Sequence, residues 1–162
     1  NPRFPLAESE QKKLVKLYLN DVGLLTNLLY DLNVNAVLQD IKSINLGTVY
    51  ESAVAQELAA HGFKLHYYDN KKKGEVDFLI DDHDHLTVLP LEIKSGKDYT
   101  ELSALTNFLE TPDYGINQAI VFSNEREIFK KKGVTYLPIY YCMFIHNEHS
   151  NEPVILPELE SV

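Results

Sequence analysis

One cysteine, Cys142, stands among 162 residues. That excludes a disulfide framework and fits a reducing compartment, the cytoplasm. No stretch approaches 18 consecutive apolar residues, so no helix spans a membrane. No secretory signal segment is read at the opening. A phosphate-cradling loop is missing too: Gly96-Lys97 is the one Gly-Lys pair, and the position five before that glycine is Leu91. Neither an internal repeat nor a low-complexity tract occurs. Positive charge is in deficit, with 15 Lys and Arg against 24 Asp and Glu and a formal net charge of −9. Such a balance argues against autonomous, tight nucleic-acid binding, which needs a basic footprint. The basic residues that are present cluster, as in Lys71-Lys72-Lys73 and in Lys94 with Lys97, and leave room for local basic rims around an acidic pocket.

What is there is a single domain's worth of apolar residues, 44% of the chain. Residues 1–11 read as an extended linker, 12–145 as the domain and 146–162 as a loose acidic tail. A short strand is expected over 13–20. A helix follows, N-capped by Asp21 and running to Tyr30, and another short one over 33–41. A longer helix runs from a cap at Asn45 to about His61 and is closed by Gly62. Strands then fall at 63–68, 74–80 and 91–96, a helix runs from 98 or 100 to 110, and a strand covers 118–122. Residues 125–132 read as helical, and 134–145 as strand or helix. The order α-β-β-β-α-β, with a helical preface, describes an α/β sandwich around a mixed, mainly antiparallel sheet. The last helix and strand form a crossover, so their pairing is parallel.

Two of these strands carry the chemistry: Gly74-Glu75-Val76-Asp77-Phe78-Leu79-Ile80 and Leu91-Glu92-Ile93-Lys94-Ser95-Gly96. His83-Asp84-His85-Leu86 is polar and turn-like. A hairpin turn centred between Asp84 and His85 makes Asp77 and Glu92 direct neighbours across the ladder, with Lys94 on the same face as Glu92. Val76, Phe78, Ile80, Leu91 and Ile93 then face a core. Pro90, which cannot donate to a ladder, marks a bulge or an edge nearby. Two facing carboxylates repel unless a cation lies between them, and Mg²⁺ or Mn²⁺ suits hard oxygen donors. The same alternation equally describes a half-solvated antiparallel sheet with Lys94 as an ordinary cross-strand ion-pair partner. A third acid, Glu51, lies on the helical stripe of Val54 and Leu58, and no cation stands three or four residues away. Either it reaches water at the stripe's edge or it aims at the Asp77–Glu92 pocket.

A Glu-bearing helix, strands with Asp and then Glu-x-Lys, a helix and a strand together resemble the core of the PD-(D/E)XK nuclease superfamily over residues 45–123. Val76 replaces the proline in that superfamily's name. Leu17-Tyr18-Leu19-Asn20-Asp21-Val22-Gly23-Leu24-Leu25, Leu46-Gly47-Thr48-Val49-Tyr50-Glu51 and the two strand motifs also resemble a C-terminal domain found behind AAA-type ATPase modules in bacteria and archaea. The resemblance implies a restriction-endonuclease-like fold. Asp77, Glu92 and the Ile93 carbonyl hold Mg²⁺ or Mn²⁺, Lys94 orients or deprotonates the attacking water, and Glu51 supports the metal or takes a proton. Lys71, Lys72, Lys73 and Lys97 hold a DNA backbone. It further implies an ATPase domain preceding residue 1 in the same polypeptide, with ATP bound there, and self-association as a homo-oligomer. The alternative is a catalytically inactive nuclease-fold module that serves DNA, partner or oligomer contacts.

Overall fold

The computed structural model describes residues 2–11, 15–31, 35, 39, 46–96 and 99–147. Six strands form one mixed sheet in the order β1-β2-β3-β4-β6-β5. They are β1 (His66–Asn70), β2 (Gly74–Asp82), β3 (Thr87–Lys94), β4 (Ala119–Ser123), β5 (Phe129–Lys131) and β6 (Val134–Pro138). The pairs β1–β2, β2–β3 and β5–β6 are antiparallel, while β3–β4 and β4–β6 are parallel. The expected crossover between β3 and β4 is thus a parallel one. Among the described residues the sheet is accompanied by the helices α1 (Val22–Tyr30), α2 (Gly47–Ala60) and α3 (Ser103–Leu109).

The hairpin of β2 and β3 has the expected register. Phe78 faces Leu91, Ile80 faces Leu89 and Asp82 faces Thr87. Its turn is built by Asp82, whose carboxylate accepts the His85 backbone N–H at 3.1 Å. Pro90 takes its place opposite Leu79, and the ladder to β4 begins one residue later, at Leu91. The irregularity falls instead between β1 and β2. His66 pairs with Leu79 and Tyr68 with Val76, so two steps on β1 oppose three on β2. That extra residue is a bulge around Asp77 and Phe78.

The bulge changes which face each side chain takes. Phe78, Ile80, Leu91 and Ile93 pack with Val54, Ala55 and Leu58 of α2, as expected. Val76 does not join them. It packs with Leu79, Val88 and Val121 against Leu105 and Phe108 of α3, because the extra residue reverses the alternation. Both sheet faces are therefore covered, and each fully buried Leu, Ile or Phe contributes about 1.5–3 kcal/mol of transfer free energy.

Local signals behaved unevenly. Asp21 caps α1 by accepting the Leu24 N–H at 2.8 Å. Gly62, at φ 79°, follows the end of α2, where the Gly62 and Phe63 N–H groups bond the Ala59 and Leu58 carbonyls. Residues 15–20 form no strand. Residues 125–132 are not helical. Lys132 (φ 50°) and Gly133 (φ 81°) turn the chain tightly, and Phe129 stacks on Tyr136 at 4.4 Å, which pairs β5 with β6. Residues 134–138 are strand, followed by a 3₁₀ turn, Ile139–Phe144. The opening segment is docked rather than extended and free. Leu6 is 3% exposed in the α3-side core, and its N–H donates to Asp81 Oδ1 at 2.9 Å. Of the expected helix over 33–41 only residues 35 and 39 are described, where the Gln39 N–H donates to the Asn35 carbonyl at 3.0 Å; the Asn45 cap and the acidic tail beyond residue 147 lie outside the described residues.

Gly74 opens β2 with φ +97°, and a Cβ there would lie 2.6 Å from the Ala104 Cβ of α3. Gly74→Ala is expected to lower stability by about 2 kcal/mol in urea denaturation, through strain at positive φ plus the clash. Adding Ala104→Gly should recover part of that loss by removing the clash alone. A parent-like midpoint for Gly74→Ala would show that α3 does not sit this close to β2.

Candidate functional site: a carboxylate pair on adjacent strands

Asp77 lies in the β2 bulge, where the ladder with β3 ends at Phe78–Leu91. One further step in register would pair the Asp77 and Glu92 backbones. Instead the Asp77 side chain takes over the bonding, and its Oδ2 accepts the Ile93 N–H at 2.7 Å. Bulges beside functional sites re-aim side chains in this way. The visible contribution of Ile93 to the site is therefore its N–H.

Glu92 is 5% exposed, in the strand between β2 and β4. Its Oε1 accepts from the Lys94 ammonium at 2.8 Å, and its Oε2 is buried without a hydrogen-bond partner. Leaving such an oxygen unpartnered costs free energy. Burial pushes the Asp77 carboxyl up to about 7, the charge of Glu92 adds to this, and the Ile93 N–H works against it. Burial raises Glu92 as well, with Lys94 and the Asp77 backbone N–H opposing. The charge of Glu51 raises both members of the pair.

Glu51 follows the start of α2 by one turn, and its side chain is 27% exposed. A cation distant in sequence accounts for it: Lys16 Nζ lies 3.7 Å from Glu51 Oε2 and also bonds the Glu75 carboxylate. Burial works against the Lys16 charge, but the hydrogen bond to Glu75 and the surrounding negative charges outweigh it, so its pKa is raised. Tyr18, two residues on, packs on Phe78 with ring centroids 5.5 Å apart. Burial pushes its hydroxyl up to about 12; it lies near Lys16, without a hydrogen bond of good geometry. Lys16, Tyr18, Tyr67, Asn70 and Asp77 share the wall of a cleft of about 620 Å³, and Asp77 is the member of the pair that lines it.

The site thus brings Asp77, Glu92 and Lys94 together, with Glu51 within electrostatic reach. Lys16 carries no signal of its own in the sequence; the one pointer to it is that Glu51 lacks a cation on its own helix. The basic turn divides. Lys71 and Lys72 are exposed, whereas Lys73 donates to Thr111 Oγ1 at 2.9 Å and lies over the Tyr114 ring. Lys97 lies outside the described residues. Among the described residues, no group of three or more His, Cys, Asp or Glu side chains is gathered closely enough to hold a metal ion. Two carboxylates with one unsatisfied oxygen do fit the donor chemistry of Mg²⁺, which commonly takes one or two carboxylates and fills its remaining positions with water and phosphate oxygens.

Fold and site define a mixed α/β domain with a buried carboxylate pair and a lysine on adjacent strands. Residues 46–142 match the family described as "Domain of unknown function (DUF4143)", and the chain belongs to that family. No curated protein matches the sequence. Among the described residues, no helix is long and apolar enough to cross a membrane.

Proposed function

We propose that the domain hydrolyses DNA phosphodiesters with Mg²⁺ or Mn²⁺, on a restriction-endonuclease-like PD-(D/E)XK fold. The observation that carries this reading is the buried pair Asp77 and Glu92, which has one unpartnered oxygen and Lys94 beside it. Asp77 and Glu92 would hold the cation, which supplies Lewis-acid polarisation of a phosphoryl oxygen and a more acidic bound water. Asp77 keeps its aim through the Ile93 N–H, and Glu92 holds Lys94 in place. The Lys94 ammonium offers a donor to charge developing on the phosphate and orients the attacking water. Lys71 and Lys72, exposed beside β2, supply backbone contacts to DNA. Domains of this family commonly follow AAA-type ATPase modules. In this reading such a module precedes the domain in one cytoplasmic polypeptide, binds the ATP and gates cleavage.

The test is calorimetric. Mn²⁺ titrated into the chain should bind saturably, and Asp77→Ala and Glu92→Ala should each abolish that binding. No heat up to millimolar metal in the parent overturns the metal site. A second reading, a contact module without catalysis, is favoured by the net charge of −9 and by α1, which buries Leu25 but leaves Leu24, Leu28 and Leu29 on the surface. Under that reading the exposed leucines face the ATPase or a second copy of the chain.

A further inference from the structure

We infer that Lys16 is the resident counter-ion of Glu51, so that the acidic site takes one divalent cation, at Asp77 and Glu92, rather than two. This rests on the metal reading above. Glu51 lies within electrostatic reach of Asp77 and Glu92 without being gathered into one cluster with them, and a third carboxylate beside a metal-binding pair invites a second cation. The geometry gives Glu51 a different partner. Lys16 Nζ is 3.7 Å from its Oε2 and is anchored a second time by Glu75, two residues before Asp77 on the same strand. The ammonium also lies 5.5 Å from the centroid of the Tyr67 ring. The segment that delivers it is pinned by Tyr18 on Phe78, the neighbour of Asp77. Lys16 is therefore held from several directions, on the wall of the cleft that Asp77 also lines.

Charge balance leads to the same stoichiometry. Lys16 and Lys94 offset two of the four carboxylates Glu51, Glu75, Asp77 and Glu92, so two negative charges remain. A single divalent cation balances those two charges. A second divalent cation would have to displace Lys16 from Glu51 and would sit against its ammonium. The unpartnered donor, Glu92 Oε2, belongs to the pair and not to Glu51.

Mn²⁺ calorimetry at neutral pH reads this directly. The parent chain should bind one equivalent. Lys16→Met should add a second equivalent or tighten the first by about fivefold or more, since a cation within Coulomb reach of Asp77 is gone. Lys16→Arg should restore parent behaviour, which a merely structural role for the side chain's length would not require. Two equivalents in the parent overturn the inference, as does a folded Lys16→Met with parent-like stoichiometry and affinity. Should circular dichroism show Lys16→Met unfolded, Glu51→Gln decides: one equivalent within about threefold of the parent affinity supports the inference. Loss of binding in Glu51→Gln makes Glu51 a ligand and overturns it. No binding in the parent or in any variant removes the metal reading itself, a result distinct from either failure of the Lys16 assignment.

Discussion

Asp77→Asn should stabilise the metal-free domain by about 2–4 kcal/mol at about pH 8 and by less than half as much at about pH 5. In the folded chain, burial and the nearby Glu92 charge lift the Asp77 carboxyl from its ordinary 3.8 to about 7. Between those values the folded state holds a proton that the unfolded state has released. Stability therefore falls as pH rises from about 4 to about 7 and levels off above, where the whole cost of a buried charge is present. The upward displacement of Glu92 acts in the same direction and steepens the fall. An amide cannot ionise, and its oxygen can still accept the Ile93 N–H that now reaches Asp77 Oδ2 at 2.7 Å. The variant thus removes the charge while keeping the bond. Urea denaturation of parent and variant across this pH range reads the difference. Mn²⁺ should recover the parent's lost stability at the upper end by mass action and leave the variant little changed. A flat parent profile with no gain in the variant would show that the pair meets water in the folded chain.

The hairpin was legible because several local signals agreed. Asp82 to Leu86 is turn-forming, the flanking residues alternate, and one register buries the apolar set. The helix punctuation at Asp21 and Gly62 was legible for a similar reason, since each acts on backbone within a few residues. What escaped depends on partners far along the chain. The β2 bulge is set by how β1 meets β2, and it moves Val76 to the other core without altering the alternation that can be read in β2 alone. Residues 125–132 are polar enough to pass for a helix. Their hairpin is fixed by Phe129 stacking on Tyr136 and by two consecutive positive φ angles, one of them at a lysine. Leu6 and Lys16 each find partners well beyond helical spacing, Asp81 for one and Glu51 and Glu75 for the other. The acids of the candidate site were therefore readable from strand periodicity, whereas the cation that serves Glu51 was not.

Lys94→Met should slow cleavage of supercoiled plasmid DNA by about 100-fold or more, because it removes a donor aimed at developing negative charge. It should leave the Mn²⁺ affinity within about threefold of the parent or make it tighter, since a cation competing for Glu92 is lost. Methionine keeps much of the apolar stem of a half-buried lysine, so packing changes little. The cleavage rate is what separates a positioned ammonium from a simple ion pair. If Lys94 only neutralised Glu92, its loss would strip a buried carboxylate of its cationic partner, and metal would then offset the deficit. Mn²⁺ would bind more tightly and the cleavage rate would survive. A parent-like rate in Lys94→Met therefore removes the lysine from the chemistry. Loss of Mn²⁺ binding in the same variant would instead show that the ammonium holds Glu92 in its ligating position. Mn²⁺ binding in a parent that cuts no DNA, even beside the ATPase module proposed above, would move the function to the surface of α1, where three leucines face outward with a carboxylate pair left behind as a metal-stabilised structural site.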